Sequence, residues 1–78
     1  MYITYDTEAD ALYVYLTAVA DHHVAATRVV DDVRLVKYDQ AGDAIGLEFL
    51  FVRDGIDLTG LPRALEVAEA LRSFPRLA

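Results

Sequence analysis

Two pairs of aspartates with the same spacing are the first residues in this chain whose chemistry needs explaining. Asp6 and Asp10 are four residues apart, and so are Asp39 and Asp43. Paired carboxylates can bind a divalent cation or act as general acid and base. They also accept hydrogen bonds from backbone N–H groups in turns. Because both pairs lie between apolar segments, we interpret all four as turn and cap residues, with a cation site or acid–base chemistry as the alternatives.

The sequence around these acids repeats itself. Residues 5–12 and 38–45 both read Y-D-x-x-x-D-A-[LI]. In each copy a strand-like segment ends at Tyr-Asp and another begins after the second Asp, which predicts two similar hairpins. Duplication and convergent turn chemistry are both consistent with this pattern, and two copies fall short of a repeat array.

A single carboxylate, Glu48, lies within the most apolar segment of the chain. A charge in such a strand must be paired or reach water. The preceding strand offers Arg34 and Lys37, and alternation along it favours Arg34. We expect Glu48 to pair with Arg34 or with a tyrosine, within one subunit or between two; the alternative is a functional acid in a small pocket. Gly46, on the same face, leaves room for close approach by another group.

The sequence offers no nucleophile, catalytic triad or phosphate loop. It contains no cysteine, and its one serine, Ser73, follows a predicted helix. The four glycines are scattered, which does not fit a Gly-rich phosphate loop. The adjacent His22 and His23 are interpreted as surface loop residues, because neighbours in an extended segment point to opposite sides. We assign no catalytic residue, no metal ligand and no cofactor, and we expect a non-enzymatic protein.

Short strands must position these residues. β-branched and aromatic residues alternate over five segments, at residues 2–5, 11–16, 24–30, 33–38 and 44–52. A connector over residues 53–61 follows, and the apolar spacing of Leu61, Ala64, Leu65, Ala68 and Leu71 predicts an amphipathic helix over residues 62–73. The sequence therefore predicts one α+β domain over residues 1–78. It is an antiparallel β-meander of about five short strands, without crossover connections, and one C-terminal helix packs on one face.

Hydrophobic residues make up 55% of this 78-residue chain. A domain this small usually needs a staple such as a disulfide, a metal or a partner chain. One helix covers one sheet face, and the fifth strand offers it Ile45, Leu47, Phe49 and Phe51. The second face is then expected to carry Tyr13, Tyr15, Val36, Tyr38 and Leu50. We predict a homo-oligomer, a dimer or higher, that buries this face; the candidate interface or pairing residues are Tyr13, Tyr15, Arg34, Tyr38 and Glu48.

The chain is acidic, with 13 Asp and Glu against 7 Lys and Arg and a net charge of −6. Nucleic acids and anionic membranes are bound mainly through Lys and Arg, so neither is expected as a partner. No secretory signal or membrane-length apolar run stands out, and we expect a cytoplasmic protein. Residues 1–27 contain four acids and no Lys or Arg, which favours solubility and, as the alternative, a basic protein partner.

The repeated segments also carry a family resemblance. Residues 5–16 read YDTEADALYVYL and residues 39–50 read DQAGDAIGLEFL, with Gly46-Leu47-Glu48 as the most specific element. Over about residues 1–52 the chain resembles DUF2283, a family of small bacterial proteins of unknown function. The resemblance implies a compact sheet-plus-helix fold and supplies no catalytic residues.

The resemblance also suggests a function, because of the genes that lie next to those of some relatives. Some relatives are thought to be encoded beside small toxin-like proteins, which suggests an antitoxin-like partner of a small basic toxin as an alternative to self-association. A carboxylate-dependent, metal-assisted hydrolase is the second alternative. It requires three or more carboxylates to converge in a concave site.

Overall fold

The computed structural model describes residues 1–74 of the chain. In this part, one antiparallel sheet contains β1 (Tyr2–Asp6), β2 (Ala11–Tyr15), β3 (Ala26–Asp31), β4 (Arg34–Tyr38) and β5 (Ala44–Phe49). A 3-10 turn, Val52–Asp54, and the helix α1, Ala64–Arg72, follow β5, and a second 3-10 turn, Val19–Asp21, lies between β2 and β3. The predicted α+β class, with a five-stranded antiparallel sheet and one C-terminal helix, is confirmed. Residues 75–78 of the predicted domain lie outside the described residues.

The strand order is β1-β2-β5-β4-β3, so one connection departs from the predicted meander. β1–β2 and β3–β4–β5 are each sequential, but the chain passes from β2 to the far edge of the sheet before it forms β3. The burial of the strands explains this order. Five of the six residues of β3 are exposed, whereas four of the six residues of β5 are buried. A strand as apolar as β5 is better buried between two neighbours than at an edge.

The main core lies between the sheet and α1. Leu12 and Val14 of β2 and Leu47 of β5 have no exposed surface, and Phe49 is 2% exposed. Val36 also belongs to this core, because it pairs with Leu47 across β4 and β5. Paired residues share a face, so the prediction that Val36 and Tyr38 lie on the second face is wrong. Tyr38, two residues from Val36 along β4, also packs against the core.

Phe51 does not continue the buried side of β5 as predicted. The strand ends at Phe49, and Phe51 adopts a left-handed conformation with φ of 53°. This turn reverses the side chain outward, leaving Phe51 59% exposed. Val52 enters the core instead and is 4% exposed.

Arg63 fixes how α1 sits on the sheet. It precedes the helix in a left-handed conformation (φ 54°), and its Nη1 donates to the carbonyl oxygen of Leu16 at 2.7 Å. Its Nε and Nη2 donate to the carboxylate of Glu66. In this orientation Val67 is fully buried, while Leu65, predicted for the apolar helix face, is 88% exposed.

Substitutions at these two helix positions should have opposite consequences. Val67→Ala removes two buried methyl groups and should lower the free energy of unfolding by about 2 kcal/mol, or roughly 8–16 °C in melting temperature. Leu65→Ala, on the same helix, should change it by less than about 0.5 kcal/mol. Thermal and urea unfolding followed by circular dichroism measures both, and equal effects would show that α1 is rotated from the position described.

Candidate functional site

The sheet face opposite α1, called here the open face, consists of two rows of residues that run across the strands. The strand register places the residues of each row side by side. The first row is Thr4, Tyr13, Glu48, Leu35 and Val29, and the second is Tyr2, Tyr15, Gly46, Lys37 and Thr27. Tyr13, Tyr15 and Glu48 therefore share this face. Arg34 and Tyr38, the other two candidate interface residues, lie on the helix side.

His22 reaches the open face from the connection between β2 and β3. Its Nε2 lies 2.6 Å from the hydroxyl of Tyr13, and its ring packs edge-on against Tyr15, with ring centroids 4.6 Å apart. The rings of Tyr13 and Tyr15 are 4.8 Å apart, and Tyr2 extends the aromatic cluster beyond Tyr15. His22 lies in a loop, as predicted, but its side chain is half-buried against the open face, whereas His23 is exposed.

Gly46 makes room for this arrangement. A methyl group added at Gly46 would collide with the hydroxyl of Tyr13 and would lie 2.8 Å from Cε1 of His22. In the sequence, a glycine within a strand predicts that another side chain or backbone segment packs closely against the strand at that position. The sequence does not say which group, since His22 is 24 residues away and belongs to a connection whose course depends on the strand order.

Tyr13 is the most strongly perturbed acid of the open face. Its partial burial, together with the neighbouring Tyr15 and Glu48, raises the pKa of Tyr13 to about 12. The phenol therefore stays protonated near neutral pH and can donate its hydrogen to Nε2 of His22. In that tautomer Nδ1 of His22 carries a hydrogen, and this atom is buried without a hydrogen-bond partner among the described residues.

Glu48 pairs with Lys37 rather than with Arg34. Nζ of Lys37 lies 3.4 Å from the Glu48 carboxylate, and the two side chains are 18% and 31% exposed. The expected pairing with Arg34 is not formed, because Arg34 is opposite Phe49 on the helix side of the sheet. Among tyrosines, Tyr13 lies directly opposite Glu48 in the register.

Asp6 and Asp39, the first acids of the two repeated segments, have the same local role. The carboxylate of Asp6 accepts hydrogen bonds from the N–H groups of Glu8 and Ala9. The carboxylate of Asp39 accepts them from Ala41 and Asp43. Each acid therefore closes the turn that it begins.

The second acids, Asp10 and Asp43, differ. The backbone of Asp10 has a left-handed conformation (φ 52°). Its carboxylate accepts a hydrogen bond from the hydroxyl of Tyr5 at 2.6 Å and from the N–H of Arg53 at 3.1 and 3.2 Å. Its carbonyl oxygen accepts the N–H of Val52. It thus ties the first hairpin to the turn after β5. Asp43 closes its own turn through its backbone, since its carbonyl accepts the N–H of Asp39.

The two aspartate pairs lie at opposite ends of the sheet. Leu12 at the start of β2 is beside Phe49 at the end of β5, and Tyr15 is beside Gly46. The first hairpin turn is therefore at the far end of β5 from the second. Within residues 1–74 no three His, Asp or Glu side chains lie close enough together to hold a metal. This geometry gives the metal-assisted hydrolase no support.

No helix in the described part of the chain is long and apolar enough to cross a membrane.

These features define a small α+β protein in which, within residues 1–74, one sheet face is not covered by the helix. A family model described as "Protein of unknown function (DUF2283)" matches residues 2–53 of the 78, and the chain belongs to this family. No curated protein and no solved structure matches the chain. The matched region contains both rows of the open face, His22 and the four turn aspartates, whereas α1 follows it.

The packing around Gly46 can be tested by adding the missing methyl group. Gly46→Ala should lower the free energy of unfolding by about 1–2 kcal/mol, because Tyr13 and His22 must move aside. In a Tyr13→Phe background the same change should be less costly by at least about 0.5 kcal/mol, since the nearest colliding atom is gone. Urea unfolding of the four proteins of this cycle measures the coupling. Additive effects would place Tyr13 away from Gly46.

The Asp10 link predicts an acid-sensitive fold. The hydrogen bond from Tyr5 is the main cause that lowers the pKa of Asp10 below its ordinary value of 3.8. Burial, the next in size, opposes it, and the N–H and the charge of Arg53 add to the lowering. A carboxyl whose pKa is lower in the folded state stabilises the fold above the unfolded value, and this stability is lost as the pH falls through the folded one. Stability should therefore decline below about pH 4, and Asp10→Asn should flatten that decline.

Urea midpoints across this pH range provide the measurement. Tyr5→Phe removes the main cause of the shift and should also weaken the pH dependence. Tyr2→Phe, on an exposed residue of the same strand, should leave the dependence as in the unmodified protein. An acid transition as steep in Asp10→Asn as in the parent protein would refute the role given to Asp10.

Proposed function

We propose that this protein acts through protein–protein contact, and that its open face binds a second copy of the same chain. The observation that supports this most directly is the uncovered face itself. Its two ends are apolar and exposed, with Tyr2 57% exposed on β1 and Val29 67% exposed on β3. Between them, Tyr13, Tyr15 and Leu35 are only partly covered. Continuous aromatic and aliphatic surface of this kind is typical of interaction sites.

The charges on the open face favour a copy of the same chain over another partner. Lys37 and Glu48 are diagonal neighbours on β4 and β5, so each copy presents both signs near the middle of the face. A two-fold axis that passes between them would place each lysine against the other copy's glutamate. Such an interface is self-complementary, as a symmetric dimer requires. A strongly basic or acidic partner would instead meet one like charge.

The size of the face sets the strength of the contact. Strands lie about 4.8 Å apart and rise about 3.3 Å per residue, so five strands of about five residues present roughly 400 Å². A face-to-face pair would then bury about 800–1,000 Å² in total, near the lower limit for specific complexes. We therefore propose a reversible dimer with a dissociation constant in the micromolar range rather than a permanent one.

The proposal predicts that single charge reversals prevent dimerisation and that their combination restores it. Lys37→Glu leaves two acids on each face, and Glu48→Lys leaves two bases, so each single variant should dissociate at least about tenfold more readily. The double variant Lys37→Glu/Glu48→Lys recovers both signs and should dimerise like the parent. Sedimentation equilibrium over a concentration series measures the dissociation constants.

Arg72→Glu is the matched control for net charge. Arg72 lies on α1 and is 76% exposed, so its reversal changes the charge as much as Lys37→Glu without altering the open face. It should leave dimerisation nearly unchanged. A parent protein that stays monomeric up to about 1 mM, or single variants that associate as it does, would exclude this interface.

A further inference from the structure

A second surface feature lies at the end of the sheet, beyond the row of the open face that contains Leu35 and Glu48. A groove of about 370 Å³ lies between β4, β5 and the segment that follows β5. Its apolar lining includes Val33, Phe49, Leu50 and Ile56. The volume is at the small end of the range of about 300–1,000 Å³ in which proteins bind ligands. It is large enough to receive a bulky aliphatic side chain.

The cation in the lining of this groove is already engaged. Nε of Arg34 donates to the Asp31 carboxylate at 2.8 Å, and Nη1 donates to the carbonyl oxygens of Asp57 and Thr59 at 3.1 and 2.7 Å. The Arg34 side chain is only 12% exposed. Arg34 therefore fixes the segment after β5 to β4, and little of its side chain remains accessible to an anion.

Several backbone N–H groups in and beside the groove wall are also engaged within the chain. The N–H groups of Val52 and Arg53 bind Asp10, and those of Asp54 and Gly55 bind the carbonyls of Phe51 and Val52. Carboxylates remain as acceptors. Asp57 is 65% exposed, although its carboxylate accepts the N–H of Thr59 and lies 3.9 Å from Nη1 of Arg34. Asp54 is exposed and has no side-chain hydrogen bond or ion pair within residues 1–74. The groove therefore offers apolar contact and carboxylate acceptors.

Phe51 forms an exposed aromatic wall beside these acids. Its left-handed backbone conformation is unfavourable for a residue that has a side chain. The turn that contains Phe51 is fixed by a hydrogen bond from the N–H of Val52 to the carbonyl oxygen of Asp10, which is 41 residues before Phe51 in the sequence. Strained conformations of this kind persist where the surrounding structure enforces them, often at sites of function. An aromatic ring next to carboxylates suits a cation with an apolar body.

We propose that this groove binds a short segment of another protein that carries a large aliphatic side chain next to a lysine or arginine. The aliphatic side chain enters the groove between Leu50 and Ile56, and the cation lies against Asp54, Asp57 and the ring of Phe51. The net charge of −6 on the chain attracts such a basic partner from a distance. None of the residues that line the groove belongs to the two rows of the open face, and the proposal does not rest on dimerisation.

The test uses the full chain and defined peptides. An acetylated, amidated peptide Gly-Leu-Lys-Leu-Arg-Gly is titrated into ¹⁵N-labelled protein, and the amide shifts of Val33, Leu50 and Gly55 are followed. We expect saturable shifts there, with a dissociation constant below about 1 mM that weakens with salt. Two control peptides, Gly-Leu-Glu-Leu-Glu-Gly and Gly-Gly-Lys-Gly-Arg-Gly, lack the cations and the aliphatic side chains respectively, and each should bind at least about tenfold more weakly.

Variants of the protein locate the site. Asp54→Lys should weaken the basic peptide about tenfold, whereas Asp43→Lys, the same charge change in the turn at the other end of β5, should weaken it less than about twofold. Phe51→Gly removes the ring while relieving the left-handed strain, so it should also weaken binding. Its urea unfolding curve distinguishes this loss of affinity from a loss of folding.

Three results would overturn the assignment. The first is the absence of saturable shifts at the groove amides. The second is equal binding of the acidic and basic peptides. The third is binding of hexylammonium alone at these amides with no binding of the peptide, which would make the groove a small-amine site rather than a protein-binding one.

Discussion

The burial of β5 is the constraint on which the rest of this structure depends. Ile45, Gly46 and Leu47 are consecutive buried residues, so β5 needs a neighbour on each side as well as cover on its faces. Placing β5 between β2 and β4 leaves β1 and β3 as the sheet edges. It also obliges the chain to use ten residues to travel from β2 to β3. That connection carries His22 over Gly46 and shields part of a sheet face that the helix does not reach.

The sequence predicts the strands well where the two sides of a strand differ in character. In β2, aliphatic Leu12 and Val14 alternate with Tyr13 and Tyr15, and this contrast identifies the core side correctly. β4 has no such contrast, because apolar residues occur at both its odd-numbered and its even-numbered positions, which lie on opposite faces of the sheet. Its orientation then depends on its register with β5, and a shift of one residue exchanges the two faces.

The error over Arg34 follows from this ambiguity. Arg34 and Val36 are two residues apart on β4 and therefore share a face. Alternation that assigns Val36 to the second face assigns Arg34 to it as well, next to Glu48, whereas the residue beside Glu48 in the structure is Lys37. The irregular register between Lys37 and Tyr38 is a second feature that alternation alone cannot reveal. Phe51 shows the same limit at the end of β5, because continued alternation places it inside, while a left-handed turn points it outward.

The repeated segment separates what local chemistry decides from what the fold decides. Asp6 and Asp39 bind N–H groups two to four residues away, so their role can be read from the turn sequence alone. Asp10 binds Arg53, 43 residues further along, because the first turn lies beside the segment after β5. The second turn lies at the other end of β5, and Asp43 has no equivalent segment to hold.

The hydrophobic surplus is accordingly distributed over surfaces of different kinds. Val36 and Tyr38 belong to the helix side, and His22 partly covers Tyr13 and Tyr15, so the open face is less apolar than composition indicates. What stays uncovered there is accompanied by both signs of charge, which suits an identical partner. The groove beside Phe51 carries Asp54, which forms no ion pair within residues 1–74, and Asp57, which is shared with Arg34, and this acidic end suits a basic partner. The two surfaces adjoin at the end of β4 and β5 but share no residue, so each proposal depends on its own set of side chains.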